Sequence, residues 1–503
     1  MVDLLRIHPA DNILIALKDV SVNQPMENGN MTREAIRRGH KVASKPIAKG
    51  SAILKFAQQI GIASRDIAAG EHVHLHNLSY SASTADRRIG ESLKDYRAPL
   101  SLDATFQGII RKDGRIATRN YIGILTSVNC SATVARHIAD QFRGTALDPW
   151  PNVDGVVALT HKTGCGMASE GEAMDILRRT IGGYARHPNF AAVLVIGLGC
   201  EANQVDRLLE AEGLTPSETL HDLVIQNEGG SSATVRAGVA KIKSMLDEAN
   251  KVKRSPVSAR HLKLGLQCGG SDGFSALSAN PALGVAADLL VRHGGTAVLS
   301  ETPEVYGAEH MLLSRAVSHE VGQKLLDRLI WWQAYTARTG ETMDNNPSPG
   351  NKEGGLTTIL EKSLGAVAKG GTSPLVDVVE FAEELKVPGF VFMDTPGYDP
   401  VSVTGQVAGG CNIVCFTTGR GSCFGCKPVP SLKLSTNTPM YLRMTEDMDI
   451  NCGEIIDGTA SVEEMGQQIF DLILATASGQ KTASEKFGYG EDEFVPWVIG
   501  ATV

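Results

Sequence analysis

From about residue 105 onward the chain repeats one pattern: a continuous apolar run, a short glycine-rich or polar loop, then an amphipathic helical stretch. "YIGILTSVNC" leads into "SATVARHIADQFRG", "VDGVVALTHKTGC" into "EAMDILRRTIGGYA", "FAAVLVIGLGC" into "QVDRLLEAEG", and "LHDLVIQNEGG" into "ATVRAGVAKIKSMLDEANK". Strands without polar alternation bury both faces, and joining them through helices builds a parallel sheet covered on two sides. The charged stretch "EANKVKRSP" closes this first α/β unit, read as residues 105–255. A second unit, residues 256–503, supplies "LKLGLQCGGSD", "TAVLSETPE", "GFVFMDTPGYD", "NIVCFTTGRG" and "SLKLSTNT" as strands of another mainly parallel sheet. The loop "NNPSPGNKEGGLTTILEKSLGAVAKGG" is too rich in Asn, Pro and Gly for a core, and long loops of this kind usually carry function.

The first eighty residues read differently. Short runs such as "NILIALKDV", "AILKFAQQIG" and "EHVHLHN", punctuated by Gly39, Gly50 and Gly70, predict a small β-rich module over 1–80. Residues 81–104 are polar without an apolar period and read as a linker. A length of 503 residues exceeds one ordinary core, which agrees with several units.

A net charge of −8 with no basic stripe argues against nucleic acid as a partner, and no segment reaches eighteen apolar residues, so no membrane span is expected. The opening "MVDLLRIHPADNILIALKDV" lacks the apolar core of a signal peptide, and nine cysteines, an odd number, read as reduced thiols. The expectation is a cytoplasmic protein that handles a small molecule, with assembly into a homo-oligomer left open.

Ligands of open α/β sheets bind beyond the carboxyl ends of the strands. Three successive strands of the first unit end there in Cys130, Cys165 and Cys200, and Cys268 takes the equivalent place in the second. A lone free cysteine is commonly a small buried hydrophobe. Thiols at matching positions on strands about 5 Å apart could instead meet around a metal or an iron–sulfur cluster, leaving a position open for substrate. The lone "CFGC" reads as incidental, and the alternating Asp447, Asp449 and Asn451 as a polar turn in preference to a cation site. Strand ends of the second unit are rich in oxygen ligands, among them Asp272, Glu301, Glu304, Asp394 and Asp399, while Arg420 and Lys352 place cations on glycine loops. That collection suits an anionic, hydroxylated substrate, although salt bridges would account for part of it.

"GEHVHLHN" holds three of the chain's thirteen histidines, His72, His74 and His76, at strict alternation. In a strand they would share one face. Such a row is either a solvated surface or a set of imidazoles for metal binding or proton transfer.

The segments "GRIATRNYIGILTSVNCS", "ALTHKTGCGM", "LQCGGSD", "SETPEVYGAEH", "NPSPGNKEGGLTTILEKSLGA", "MDTPGYDPVS", "FTTGRGS" and "DMDINCGEI" resemble motifs of the altronate and galactarate dehydratases over essentially the whole chain. The first eighty residues resemble the family's SAF domain, with "GHK" at Gly39–Lys41 and "HVHLHN" at 72–77 similar to its altronate-type members. The resemblance implies elimination of water from a six-carbon sugar acid to give a 2-keto-3-deoxy acid, 2-keto-3-deoxygluconate from altronate. It implies Fe2+, as a single ion or a cluster, with Mn2+ as a substitute. For the parts this chemistry needs, the residues offer His161, His72, His74 or His76 for proton transfer, Cys130, Cys165 and Cys200 for the metal, Arg420 for the carboxylate, and Lys352, Asp272 and Glu301 for further substrate contacts. The β-rich module becomes a lid whose removal would leave a folded remainder. Galactarate, another aldarate or aldonate, and a sulfolactate-type lyase reaction are the alternatives. A non-enzymatic sugar-acid-binding regulator would not need a cysteine-lined sheet edge.

Overall fold

The computed structural model describes residues 3–27, 29–82, 87–93, 103–500 and 502. The N-terminal module consists of two small sheets. One carries Leu4–Leu5, Ile13–Ala16, Lys41–Ala43 and His72–Val73 in that spatial order, all pairs antiparallel; the other carries Ala52–Lys55, Gln58–Ala63 and Leu78–Ser79. Alternation within "ILIA" decides the packing. Leu14 and Ala16 face a small core with Leu4, Val20, Ile36 and Val42, whereas Ile13 and Ile15 join the large core of the C-terminal unit together with Leu283, Leu299 and Ile359. The module is thus fused to the body of the protein through shared apolar burial, which a removable lid would not be.

The first α/β unit has the parallel sheet the sequence predicts, ordered Gly155–Leu159, Tyr121–Thr126, Phe190–Gly197, Leu220–Val224. Ile122 and Ile124 face one apolar layer, Tyr121 and Leu125 the other, so both faces are covered. The second unit is a seven-stranded parallel sheet in the order Leu375–Val379, Gly389–Met393, Thr296–Leu299, Lys263–Cys268, Ile413–Thr418, Ser431–Ser435, Ile450–Asn451. The sequence reading found its five inner strands and missed both edges. "LVDVV" is interrupted by Asp377, which pairs with Lys324, while Ile450–Asn451 is two residues long. Neither presents the continuous apolar run that marks a buried strand. Asp449 accepts from the N–H groups of Lys433 (2.7 Å) and Ala483 (2.8 Å), so its carboxylate is spent on backbone.

A third sheet, Arg254–Ser258, Thr105–Ile110 and Ile116–Ala117, is antiparallel. Part of "EANKVKRSP" therefore returns to pair with the start of the first unit. Within 81–104, the described residues are fastened to the body: Gly90 and Ser92 donate to the carbonyls of Leu313 (3.0 Å) and Ser314 (2.7 Å). The rest of that predicted linker lies outside the described residues. Among the described residues no helix is long and apolar enough to cross a membrane.

Candidate active site

Strand Lys263–Cys268 starts the seven-stranded sheet in its middle. The chain then moves to one side for Thr296–Leu299 and later returns to the other for Ile413–Thr418, so the order reverses between Lys263–Cys268 and Ile413–Thr418. The loops leaving these two strand ends part company, which opens a crevice where α/β folds bind ligands. Its walls are "GGSDGF" and "GRG". The N–H groups of Gly419 and Arg420 both donate to the carbonyl of Gly270, at 3.0 and 2.9 Å.

Asp272 organises the crevice. Its Oδ1 accepts from the N–H groups of Phe274 (3.1 Å) and Ser275 (3.0 Å), from Ser275 Oγ (3.0 Å) and from Thr436 Oγ1 (2.9 Å), and its Oδ2 from Asn437 Nδ2 (3.1 Å). Position 419 must be glycine, because a Cβ there would stand 2.1 Å from Asp272 Cγ. Asp272 therefore reaches the site as a hub that fixes both loops. A cleft of about 410 Å3, within the usual range for small-molecule sites, opens above it. Four guanidinium groups line it, Arg37, Arg38, Arg420 and Arg443, together with His40, Phe274, Asp19 and Glu353. Arg420 pairs with Glu353 at 3.1 Å across an exposed rim. Arg38 lies over the Phe274 ring, 4.9 Å from its centroid, and its buried Nε has no hydrogen-bond partner among the described residues. An orphan guanidinium donor beside further cations is the complement of a carboxylate.

His40 comes from the N-terminal module. It precedes Lys41–Ala43, whose pairing puts Val42 opposite His72, so two segments over thirty residues apart bring their imidazoles together. His40 Nδ1 lies 3.0 Å from His72 Nε2, and the His72 and His74 rings stack with centroids 5.4 Å apart. The predicted single strand through all three histidines is corrected here, because it ends at Val73. Asn77 closes a turn instead: its Oδ1 accepts from the N–H of His74 (2.9 Å) and its Nδ2 donates to the carbonyl of His72 (2.8 Å). The turn folds His74 back over His72 and leaves His76 beside Glu34 and Glu71. Burial, reinforced by neighbouring cations, lowers the pKa of His40, brings His72 down to about 3 and His74 to about 4, so the imidazoles are neutral.

The module is seated by a buried ion triad. Glu361 accepts from Lys41 Nζ (2.8 Å) and Lys55 Nζ (2.8 Å), and from the N–H and hydroxyl of Thr357. Lys41 also donates to the carbonyl of Gly355 at 2.6 Å, next to the Gly354 that lines the cleft. Burial lowers the Lys41 pKa to about 8, while the two ammonium groups hold Glu361 far below the ordinary carboxylate range.

Glu301 does not line the cleft. It sits at φ 71°, in the left-handed region, fully buried, with no hydrogen-bond partner for either carboxylate oxygen among the described residues. Lys369 Nζ is 3.6 Å away and only 2.9 Å from Cys268 Sγ. Burial and the adjacent charge of Glu304 raise the Glu301 pKa well above normal, so this carboxyl is a neutral acid, whereas Glu304 is ionised against Lys362 at 2.6 Å. Burial pushes the Cys268 thiol up to about 12. Asp399 connects this cluster to the crevice: a Cβ on Gly269 would lie 2.2 Å from its Oδ2, and burial together with Glu304 raises its pKa to about 7.

His161 is buried in the first α/β unit, with Nε2 2.9 Å from the carbonyl of Thr126 and Nδ1 3.0 Å from Thr163 Oγ1. Both ring nitrogens are occupied, and it is absent from the cleft lining. Lys352 belongs to the short helix Pro349–Glu353 and is also outside the lining, whereas its neighbours Glu353 and Gly354 are within it. Cys130, Cys165 and Cys200 are exposed on loops bound to one another: Asn129 donates to the carbonyl of Thr163 (3.0 Å), Asn203 to that of Gly164 (3.0 Å), and Ser127 Oγ to Glu201 (2.7 Å). Their sulfurs do not all fall within 4.8 Å of one another, as ligand atoms of His40, His72 and His74 do. Three thiolates on a single ion, at about 2.3 Å each, stand within roughly 4 Å of one another, so as placed these thiols are not gathered around a lone ion. Sequence reasoning gave no role to His40, Arg38 or Glu361; the basic run "RRGHK" was the available signal for the first two.

Comparison with known proteins decides the family. Residues 2–81 match the altronate/galactarate dehydratase SAF domain, 108–250 the second domain of D-galactarate dehydratase/altronate hydrolase, and 259–502 the D-galactarate/altronate dehydratase C-terminal domain. The chain belongs to the altronate and galactarate dehydratase family. It is 35% identical to altronate dehydratase of Bacillus subtilis over 98% of both chains, and 38% identical to galactarate dehydratase (L-threo-forming) of Escherichia coli over 96% of this chain and 94% of that one. The beta subunit of (2R)-sulfolactate sulfo-lyase from Chromohalobacter salexigens is 31% identical over 77% of this chain and 96% of its own. As a member of the dehydratase family, the chain is a hydro-lyase acting on sugar acids.

Proposed function

We propose that this dehydratase converts altronate to 2-keto-3-deoxygluconate in the cleft between the N-terminal module and the seven-stranded sheet. The observation that carries the reading is the meeting, at the sheet's switch point, of a cluster of guanidinium groups, Arg38 Nε unpaired among them, with neutral imidazoles. Arg38 and Arg420 hold the C1 carboxylate. The C2 proton passes to a base, the C2–H electron pair forms the C2=C3 bond, and the C3 hydroxyl leaves as water with a proton supplied by an acid; the resulting enol then becomes the 2-keto acid. Asp399, titrating near neutrality beside Gly269, is suited to exchange protons under that loop. A metal bound near the carboxylate would supply stabilisation of the enediolate charge. Iron is assigned as an iron–sulfur cluster to Cys130, Cys165 and Cys200, whose exposed thiols lie on mutually bonded loops.

Galactarate is the second reading, and the guanidinium count favours it: two carboxylates need two cationic partners, and Arg37 and Arg443 are present beyond Arg38 and Arg420. Keto-acid formation from altronate, galactarate and other aldonates, measured with and without Fe2+, separates the two. Turnover of altronate with little on galactarate is expected. Efficient dehydration of galactarate with altronate ignored would overturn the substrate assignment.

A further inference from the structure

We infer that His40, His72 and His74 form a binding site for one divalent first-row metal ion at the wall of the cleft, separate from the thiol edge of the first α/β unit. Three observations carry it. One ligand atom from each residue lies within 4.8 Å of the others. The 3.0 Å between His40 Nδ1 and His72 Nε2 is the separation of two nitrogens that each stand about 2.1 Å from a common ion at a right angle, and is about 0.4 Å under the tetrahedral separation. His40 Nε2 lies 3.1 Å from the carbonyl of Glu353, to which it donates, so the Nδ1 lone pair is turned toward the other rings. An outward N–H held by a carbonyl is how metal-bound imidazoles are usually fixed.

A metal-free alternative exists for two of these rings: His72 could donate its Nε2–H to His40 Nδ1. It leaves His74 unexplained. The Nδ1 of His74 is buried without a hydrogen-bond partner among the described residues, and the His74 ring packs against those of His40 and His72 at centroid distances of 4.9 and 5.4 Å. An ion gives that nitrogen a partner; a His40–His72 hydrogen bond does not. An all-imidazole set selects among Fe2+, Co2+, Ni2+, Cu2+ and Zn2+ over Mg2+ or Ca2+. Because His40 also lines the cleft, the ion would stand where substrate oxygens are expected, and the first α/β unit would contribute none of its ligands.

The test is Co2+ binding to the metal-stripped full-length protein, read by visible d–d absorption and by metal content after desalting. The Cys130→Ser/Cys165→Ser/Cys200→Ser variant removes the three sheet-edge thiols as competitors and is expected to retain one Co2+ per chain with nitrogen-type bands. Adding His72→Ala or His74→Ala to it should weaken binding by at least about a hundredfold, since losing even an outer-shell partner costs ten- to a hundredfold. His76→Ala should leave binding unchanged. The backbone around His74 is held by Asn77 and not by the ring, so His74→Ala is the variant that keeps its fold, checked by an unaltered circular dichroism spectrum without metal. Retention of one tightly bound Co2+ in the His72 and His74 variants, or no stoichiometric Co2+ in the triple-serine parent, would overturn the assignment. These readouts do not depend on turnover, so failure of the substrate assignment leaves them intact.

Discussion

Replacing Glu361 by Ala should damage this protein more than any surface charge change. Glu361 is 2% exposed and is the shared counter-ion of Lys41 and Lys55, which are equally buried. Its removal leaves two ammonium groups in an apolar interface, and breaking a buried pair from one side costs roughly 3–5 kcal/mol. A ceiling follows from titration. A lysine can shed its proton, and neutralising one with an ordinary value of 10.5 at pH 7 costs about 1.36 kcal/mol for each of 3.5 pH units, or about 5 kcal/mol. The expected loss is therefore about 3–5 kcal/mol at pH 7, read from urea unfolding curves. It should appear first in the module, because both lysines belong to it and Glu361 to the helix Ile359–Ala368. Hydrogen exchange of Lys41–Ala43 and Ala52–Lys55 should speed up before that of Lys263–Cys268. The companion variant Lys41→Met/Lys55→Met/Glu361→Leu removes all three charges together and should recover most of the loss. A loss below about 1 kcal/mol for Glu361→Ala, with unchanged exchange in the module, would refute the view that this triad seats it.

Acid should destabilise the fold through His161 and His187, both buried with pKa values lowered to about 4 by burial. Unfolded imidazoles take up protons from about pH 6.5 downward while the folded ones resist, so stability falls between about 6.5 and 4, by about 2.7 kcal/mol per pH unit for the two; a flat profile across that window would contradict the burial argument. Glu301→Gln should cost less than about 1 kcal/mol in thermal unfolding, because the native carboxyl is already neutral, whereas a severe loss would mean that it is ionised against Lys369. Ala at Cys130, Cys165 or Cys200 should lower iron and acid-labile sulfide content with the fold intact by circular dichroism; full iron in all three would remove the cluster from this edge. Deleting residues 1–82 should yield an aggregating product and not a folded core, since Ile13, Ile15, Ile53 and Ile60 share one apolar cluster with the C-terminal unit; a soluble remainder with native melting would show that the module is separable.

The parallel sheets were legible because their inner strands are buried on both faces, and "FAAVLVIG" or "GFVFM" cannot be read as anything amphipathic. The edge strands, one interrupted by Asp377 and the other two residues long, carry no such mark. The cysteines were legible in topology, one per strand end, but not in spacing, since loop conformation sets where each sulfur stands. The histidine row shows a different limit. Alternation predicted that the rings gather, and they do, yet by an Asn77 turn and not by strand geometry. Asp272 and Glu301 were alike as acids at strand ends. One became the hub of the crevice and the other a buried neutral acid, a difference set by the donors that tertiary packing brings to each.

His40 marks where the reading along the chain had to fail, and why the deep perturbation at Glu361 is also a test of the site. Its partners are His72, in a two-residue strand paired with Lys41 and Val42, and Glu353, more than three hundred residues away. Position 355 must be glycine for this contact, because it has φ 102° and a Cβ there would stand 2.4 Å from the carbonyl of Gly39. The adjacent Lys41 reaches the Gly355 carbonyl and Glu361 from the next turn of chain. The residue that brings an imidazole to the cleft and the residue that anchors the module are thus neighbours in sequence, bound to neighbouring parts of one loop. Loosening Lys41 from Glu361 is expected to free His40 from its place in the cleft beside Arg420 and Asp272 before the sheets open. In Glu361→Ala, loss of turnover should therefore precede loss of global structure as urea is added, with the gap between the two transitions closing in the Lys41→Met/Lys55→Met/Glu361→Leu variant.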